Sequence, residues 1–155
     1  MARIAAGTAR GVPCTRRAWE ALCDRCGLCC VHKQLDRKAG VLYYTTTACR
    51  LLDPATCRCK HYARRRQRVR ECVDLYALRS ERLTWLPPSC AYRRLAEGKG
   101  LPAWHPLLTG DPDSTSKAGM SARDRVVPEP QARNTPVQVL FAVPLGRRRA
   151  TPSGG

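Results

Sequence analysis

Hydrophobic and polar positions along the chain predict short elements that alternate with irregular stretches. Residues 15–22, TRRAWEAL, fit a short helix, because Thr15 can cap its start and Trp19 and Leu22 fall three apart on one face. The β-branched and aromatic run at 41–47, VLYYTTT, follows a turn-like Ala-Gly pair and predicts a strand. The pattern therefore mixes helix and strand from the start.

Two later segments predict further helices. The run at 63–78, ARRRQRVRECVDLYAL, is rich in helix formers, although its arginines repel one another unless they are exposed or partnered. The clearest helix is CAYRRLAEG at 90–98, which follows two prolines and has Gly98 placed to end it. The stretch at 100–112 holds too many prolines and glycines for regular structure, and we expect it to wrap the core as an ordered loop.

Length and composition indicate one domain with tails. The chain has 155 residues, which suits a single domain. Residues 1–14 and 130–155 contain no acidic residue, and we expect both segments to be disordered. The apolar run at 137–143 is bracketed by prolines, and nothing nearby offers it a partner strand. We therefore predict a small, irregular, cysteine-rich α+β domain at 15–129, with a modest apolar core that gains from a metal staple.

Charge and hydropathy narrow the class of protein. The net charge is +16, and residues 1–18 and 130–155 each hold four arginines and no acid. The first residues lack an apolar run long enough for a secretory signal, and no segment approaches the roughly 20 apolar residues that span a bilayer. We therefore expect a cytoplasmic protein without membrane contact, whose cysteines serve metal binding or catalysis rather than disulfides.

The strongest chemical signal is sulfur, because four of the ten cysteines fall within CDRCGLCC at 23–30. The step C-x2-C-G is typical of a metal knuckle, in which both sulfurs face one ion and the glycine takes a positive φ. Cys23, Cys26 and Cys29 repeat this step, and Cys30 serves the same ion, a second ion or a redox role. Bacterial ferredoxins space their fourth cysteine differently, so zinc or mononuclear iron is favoured over an iron–sulfur cluster.

The histidines and arginines near these cysteines have less specific interpretations. His32 and His61 could be metal ligands, although surface or capping roles are simpler, and His105 is most simply a buried loop histidine bonded to backbone. Three arginines adjoin cysteines and could offset thiolate charge. They are Arg25, Arg50 and Arg58.

Nothing in the chain indicates an enzyme. No nucleophile–base pair and no glycine-rich phosphate loop is recognisable. The arginines at 64–70 could contact nucleic acid phosphates, but aromatic residues are too sparse there for a stacking platform. A nucleic acid partner is therefore not favoured, and the sequence identifies no other partner and no oligomer.

Three longer motifs add a family resemblance. They are WEALCDRCGLCCVHK at 19–33, ACRLLDPATCRCKHY at 48–62 and WLPPSCAYRRLAEGKGLPAWHPLLTG at 85–110. Together they resemble the bacterial YcgN family of uncharacterised proteins, within the wider YkgJ-type group named for a CxxCxxCC cysteine cluster. The likeness covers about residues 19 to 127. The two ends of the chain depart from the family pattern, and the segment DSTSKAGM at 113–120 departs from it slightly.

The resemblance implies a domain that chelates zinc or iron, with one or two ions and no established reaction. Nine cysteines fall on positions where that family carries cysteine, and Cys14 does not. They are Cys23, Cys26, Cys29, Cys30, Cys49, Cys57, Cys59, Cys72 and Cys90. The alternatives are a redox or iron–sulfur oxidoreductase accessory protein and a nucleic-acid-binding zinc module.

Overall fold

The computed structural model describes residues 15–79 and 83–145 and confirms a small α+β fold. The strands form one four-stranded sheet and one separate two-stranded ribbon. They are β1 (Val31–Asp36), β2 (Val41–Ala48), β3 (Leu52–Asp53), β4 (Arg58–Cys59), β5 (Val127–Pro128) and β6 (Val139–Pro144).

Strand β2 organises the larger sheet and corresponds to the strand predicted at 41–47. It pairs with β1 in an antiparallel hairpin, and its other edge pairs with β6 antiparallel and then with β5 parallel. Leu42, Tyr44 and Ala48 are buried, so alternate β2 side chains enter the core. The short ribbon pairs β3 with β4 antiparallel, beyond the end of β2.

Helices in the described ranges are short. They are α1 (Arg16–Glu20), α2 (Arg65–Arg68), α3 (Ala91–Ala96), α4 (Pro106–Thr109), α5 (Ser114–Lys117) and α6 (Glu129–Ala132), with 3-10 turns at Leu28–Cys30 and Tyr62–Arg64. None of these helices has the length and hydrophobicity needed to cross a lipid bilayer.

The predicted helix boundaries are confirmed for α1 and α3. The Thr15 hydroxyl accepts a hydrogen bond from the Ala18 amide at 3.2 Å, as an N-cap does. Gly98, at φ 72°, ends α3 in a Schellman arrangement. In that arrangement the Gly98 amide donates to Leu95 and the Lys99 amide donates to Arg94.

The predicted helix at 63–78 is only partly present, because α2 is a single turn. The α2 arginines are exposed or half-buried and gain little from a longer helix in which like charges would stack. Asp74 instead anchors the rest of this segment. Its two carboxylate oxygens accept hydrogen bonds from both terminal nitrogens of Arg16, at 3.1 and 2.8 Å.

The stretch at 100–112 wraps the core as predicted but contains one unexpected helical turn, α4. Pro106 opens this helix, where a missing backbone N–H costs nothing. The His105 ring accepts a hydrogen bond from the Leu107 amide, and Gly110 ends the turn at φ 73°. Proline and glycine argued against regular structure here, but Pro106 and Gly110 stand at the two ends of a short helix.

The end of the chain differs from the predicted disorder over residues 130–145. There β6 adds a strand to the sheet, with Val143 only 1% exposed. Phe141 stacks on Tyr44 at a centroid distance of 4.4 Å. The bracketing prolines leave the strand intact, and Pro144 pairs with Val41 in its last register position. The predicted disorder of 1–14 and 146–155 lies outside the described residues.

Two apolar clusters form the core. One contains the buried faces of β2 and β6 with Leu28 and Leu52, and the other is built around Trp19, which stacks on Tyr92 at 4.6 Å. Trp85 packs against both clusters. The cysteine-rich loop at 23–30 directly follows α1 and directly precedes β1, so it lies where the two clusters meet.

Candidate metal centre

The backbone of the cysteine loop has the geometry expected of a metal knuckle. Gly27 takes φ 73°, which confirms the predicted positive φ, and Arg25 also lies in the left-handed region at 58°. The Arg25 amide donates to the Cys23 sulfur at 3.4 Å. The Cys26 amide donates to an Asp24 carboxylate oxygen at 3.1 Å. Amide N–H groups therefore turn toward sulfur and carboxylate within one tight turn.

Four thiols line one small cavity in the described part of the chain. Its volume is about 40 Å³, and its walls include Cys23, Cys26 and Cys29 from the loop. Cys90 reaches the same cavity from the residue before α3. Asp24 also lines it and is 7% exposed. We call these four cysteines the first group.

The other cysteine of the loop belongs to a second neighbourhood. The Cys49 amide donates to the Cys30 carbonyl at 2.8 Å, which places the ends of β1 and β2 side by side. The Leu52 amide donates to the Cys49 carbonyl, and Leu52 pairs with Cys59 across the ribbon. Burial is the main cause that raises the pKa of Cys72, and the hydrogen bond with Cys29 is the main cause for Cys30, while Cys49 and Cys59 add smaller contributions to both shifts. Arg50, beside Cys49, also donates to the Arg68 carbonyl in the segment that leads to Cys72. We call Cys30, Cys49, Cys59 and Cys72 the second group.

The two groups adjoin at the neighbouring cysteines of the loop. The Cys29 and Cys30 sulfurs lie 3.9 Å apart. A hydrogen bond from Cys30 lowers the pKa of Cys29 to about 7, and the Lys33 ammonium contributes to the same shift. The same hydrogen bond raises the pKa of Cys30, since Cys30 must keep its proton to donate to the Cys29 thiolate. One thiolate is therefore stabilised at the junction of the two groups.

Elsewhere in the first group the protein favours neutral thiols. Burial is the main cause that raises the pKa of Cys23 and of Cys90, each to about 12. Part of Cys23 faces solvent, but the protein around its sulfur still disfavours the charged form. Burial and then the Asp24 charge raise the pKa of Cys26 well above its ordinary value. A cation in the cavity would supply the charge that these sulfurs need to ionise.

Cys57 stands apart from both groups. It is 6% exposed and packs in the apolar cluster with Leu28. Its sulfur lies 3.4 Å from the Ser121 hydroxyl. Burial is the main cause that raises the pKa of Cys57. The charged groups that modify this shift are Arg123, Asp124 and Asp53 rather than other thiols. The structure therefore brings eight of the nine candidate cysteines into two neighbourhoods and leaves the ninth in the core.

The donor chemistry fits a thiophilic metal, although the side chains are not drawn together. No three histidine, cysteine, aspartate or glutamate side chains within 15–79 and 83–145 converge closely enough to hold an ion. All nine cysteines in those ranges are free thiols. Sets of four thiolates suit tetrahedral zinc or iron. The residue types fit such an ion, and closing either group requires movement of its side chains.

The histidines take the simpler roles that the sequence indicated. His105 is 1% exposed, and its Nε2 donates to the Leu22 carbonyl at 2.9 Å, which confirms a buried histidine bonded to backbone. The His32 Nε2 lies 2.6 Å from a Glu129 carboxylate oxygen. His61 is exposed and precedes the 3-10 turn at Tyr62–Arg64.

Only one of the three arginines beside cysteines acts on a thiol as predicted. The Arg25 charge works against the raised pKa of Cys23. Arg50 instead donates to the Arg68 carbonyl, and Arg58 lines a separate polar cavity.

Two charged residues beside the thiols were missed in the sequence. Lys33 lies within β1, where its Nζ donates to the Cys29 and Val31 carbonyls at 3.1 and 2.8 Å. Asp24 is buried between the first two cysteines of the loop. Neither residue carries a motif signal, because a polar residue between cysteines or within a hairpin strand is ordinarily solvent-exposed.

Comparison with known proteins gives close bacterial relatives. A protein of Caulobacter vibrioides called "UPF0260 protein" is 53% identical over 111 residues, covering 72% of this chain and 68% of the relative. One from Shewanella denitrificans with the same name is 49% identical over 127 residues, covering 82% of this chain and 87% of the relative. No protein-family model matches the chain. No solved structure matches it.

Proposed function

Because this chain belongs to the UPF0260 family of bacterial proteins, we propose that its cysteine cluster chelates zinc or iron, as in the CxxCxxCC group that its motifs resemble. We assign it to the YcgN branch of that group on the same motifs. A reducing cytoplasm is the location that this function requires, because thiols there stay free to bind metal.

The observation that carries the proposal is the division of eight thiols into two neighbourhoods of four. We propose that Cys23, Cys26, Cys29 and Cys90 bind one ion and that the second group binds another. Four cysteines complete a tetrahedral structural site without water. The cavity of the first group, about 40 Å³, has room for a single bare ion and leaves little space for a bound substrate.

The ions stabilise a domain whose apolar core is small. Each group joins segments that are distant in sequence. Cys90 lines the same cavity as the loop at 23–30, and Arg50, beside Cys49, donates to the Arg68 carbonyl in the segment that leads to Cys72. Apparent zinc-binding free energies in small domains reach on the order of 10 kcal/mol, comparable with the stability of a whole domain. The Lys33 charge helps to lower the pKa of Cys29, and the Arg65 charge works against the rise that burial causes in the pKa of Cys72. Both cations therefore offset part of the thiolate charge.

Three single variants test the assignment. Cys26→Ser removes a ligand of the first group, Cys72→Ser removes one of the second, and Cys57→Ala is the matched control in the core. Each protein is purified anaerobically, and its metal-to-protein ratio is measured together with the absorption spectrum of a cobalt-loaded sample. We expect two ions in the wild type and the control, and one ion in each ligand variant.

Two results would contradict the proposal in different ways. A wild-type protein that retains no metal and takes up no cobalt would refute metal chelation itself. Loss of metal in Cys57→Ala, or loss of both ions on either ligand substitution, would refute the division into two groups while leaving chelation intact.

A redox role is the second candidate, and the pair Cys29 and Cys30 favours it. A thiol with a pKa of about 7 beside a second sulfur at 3.9 Å has the reactivity of a redox pair. Reversible formation of a Cys29–Cys30 disulfide when metal-free protein is treated with oxidised glutathione, mapped by peptide mass spectrometry, would favour this role. Reduction-dependent visible absorption would instead indicate an iron–sulfur centre.

A further inference from the structure

A second cavity lies beside the cysteine groups and differs from them in chemistry. Its volume is about 240 Å³, and nearly all of its lining residues are polar. Three arginines reach it from separate segments of the chain: Arg25, Arg58 and Arg123. Asp24 lines both this cavity and the one formed by the first cysteine group, so the two cavities share a wall.

Two of the three guanidinium groups have their charge available. The Arg123 Nη1 donates to an Asp113 carboxylate oxygen at 2.9 Å, which neutralises that cation. The side chains of Arg25 and Arg58 form no hydrogen bond or ion pair within the described part of the chain. The other carboxylate of the lining, Asp24, is buried and already accepts a backbone hydrogen bond. Three arginines against two aspartates, Asp24 and Asp113, leave the lining with a net charge of +1.

The cavity is held open by contacts among its own segments. The Ala122 amide donates to the Cys26 carbonyl at 2.7 Å, and the Asp124 amide donates to the Pro54 carbonyl at 3.0 Å. Arg25 itself lies at φ 58°, a conformation that costs a non-glycine residue on the order of 1 kcal/mol or more. These contacts hold the backbone around the cavity, while the exposed Arg25 and Arg58 side chains remain free to turn toward a ligand.

We propose that this cavity binds a small tetrahedral oxyanion of the phosphate class, free or carried on a small molecule. Arg25 and Arg58 supply charge-assisted, two-pronged hydrogen bonds to the anion. This site lies beyond the metal function and does not depend on it. A phosphate-sized ligand in this cavity lies on the other side of Asp24 from the first cysteine group.

The test is calorimetric titration of the full-length, metal-loaded protein with inorganic phosphate at low ionic strength. A parallel titration with glycerol phosphate distinguishes a free anion from a phosphate group on a small molecule. Arg58→Gln is the decisive variant, because Arg25 adjoins a proposed metal ligand. Arg37→Gln, at the exposed turn between β1 and β2, makes the same charge change away from the cavity.

We expect saturable binding that Arg58→Gln weakens roughly tenfold or more, and that Arg37→Gln leaves within twofold of the wild type. Equal metal content in all three proteins excludes damage to the cysteine site.

Absence of saturable binding of either compound would overturn the proposal. Equal weakening in Arg58→Gln and Arg37→Gln would do the same, since it would show a diffuse charge effect. Binding confined to single-stranded RNA, with both variants reduced alike, would point to nucleic acid and away from a built anion site.

Discussion

Replacing Gly27 with alanine tests how the metal knuckle is held against the core. Gly27 lies at φ 73°, and a Cβ built there would come 2.9 Å from the Cys57 sulfur and 3.2 Å from its Cβ. Cys57 is buried and cannot rotate away freely, because it also contacts Ser121. The substitution therefore combines backbone strain with a steric clash at one identified neighbour.

The two contributions can be assigned magnitudes. An L-residue in the left-handed region costs roughly 1–2 kcal/mol relative to glycine. Forcing an extra methyl group into a packed site costs roughly 1–3 kcal/mol. The total corresponds to a fall in thermal midpoint of roughly 5–15 °C for a domain of this size. In a Cys57→Ala background the nearest clash is absent, so Gly27→Ala should cost at least about 1 kcal/mol less there.

Thermal melts of the wild type, the two single variants and the double variant, followed by circular dichroism, measure this coupling. The metal-to-protein ratio of each sample is recorded alongside, because Gly27 lies within the proposed metal site. Additive effects of Gly27→Ala and Cys57→Ala, to within about 0.5 kcal/mol, would refute the contact on which the reasoning rests. A Gly27→Ala protein as stable as the wild type would refute the strain as well.

Three further substitutions test other parts of the structure. Val143→Ala in β6 should lower the free energy of unfolding by about 2 kcal/mol. The same change at Val139, which is 55% exposed, should have little effect. Equal melting temperatures for the two variants would contradict the packing of β6. Asp74→Asn should destabilise the protein at pH 7. The hydrogen-bonded arginine of α1 lowers the Asp74 pKa, so its stabilisation is complete above the unfolded-state pKa, near 3.9, and fades as the pH falls through the lowered native value. The two melting curves should therefore converge in acid, and a constant difference would contradict the ion pair. Lys33→Gln should raise the pKa of Cys29 from about 7. In metal-free protein at pH 7, iodoacetamide should then alkylate Cys29 more slowly. An unchanged rate would show that Lys33 does not stabilise the thiolate.

Local features of the fold were predictable because they depend on a few adjacent residues. The Thr15 cap and the positive φ values of Gly27 and Gly98 follow from residue types at fixed offsets. The pairing of β6 with β2 was missed because the two strands are distant in sequence and their contact depends on tertiary packing. Pro136 and Pro144 suggested a break in structure, whereas β6 begins three residues after Pro136 and ends at Pro144.

The candidate site was also predictable only in part from the sequence. The knuckle spacing identifies its cysteines without a structure, because C-x2-C-G brings two sulfurs together locally. Which distant cysteine joins which group depends on the fold, as Cys90 and Cys72 illustrate. The packing of Cys57 in the core had no signal in the sequence, since it sits in a C-x-C pair with Cys59. The polar cavity was likewise invisible, because its arginines come from three separate segments.

The central claim is that eight thiols hold two metal ions, and one measurement tests it most directly. The full chain is purified anaerobically from a reducing cytoplasm, its bound metal is quantified by mass spectrometry, and its reactive thiols are counted before and after chelation. The account predicts two ions of zinc or iron per chain, with eight thiols protected until the chelator releases them. A protein without metal, whose thiols react fully before any chelator is added, would contradict it.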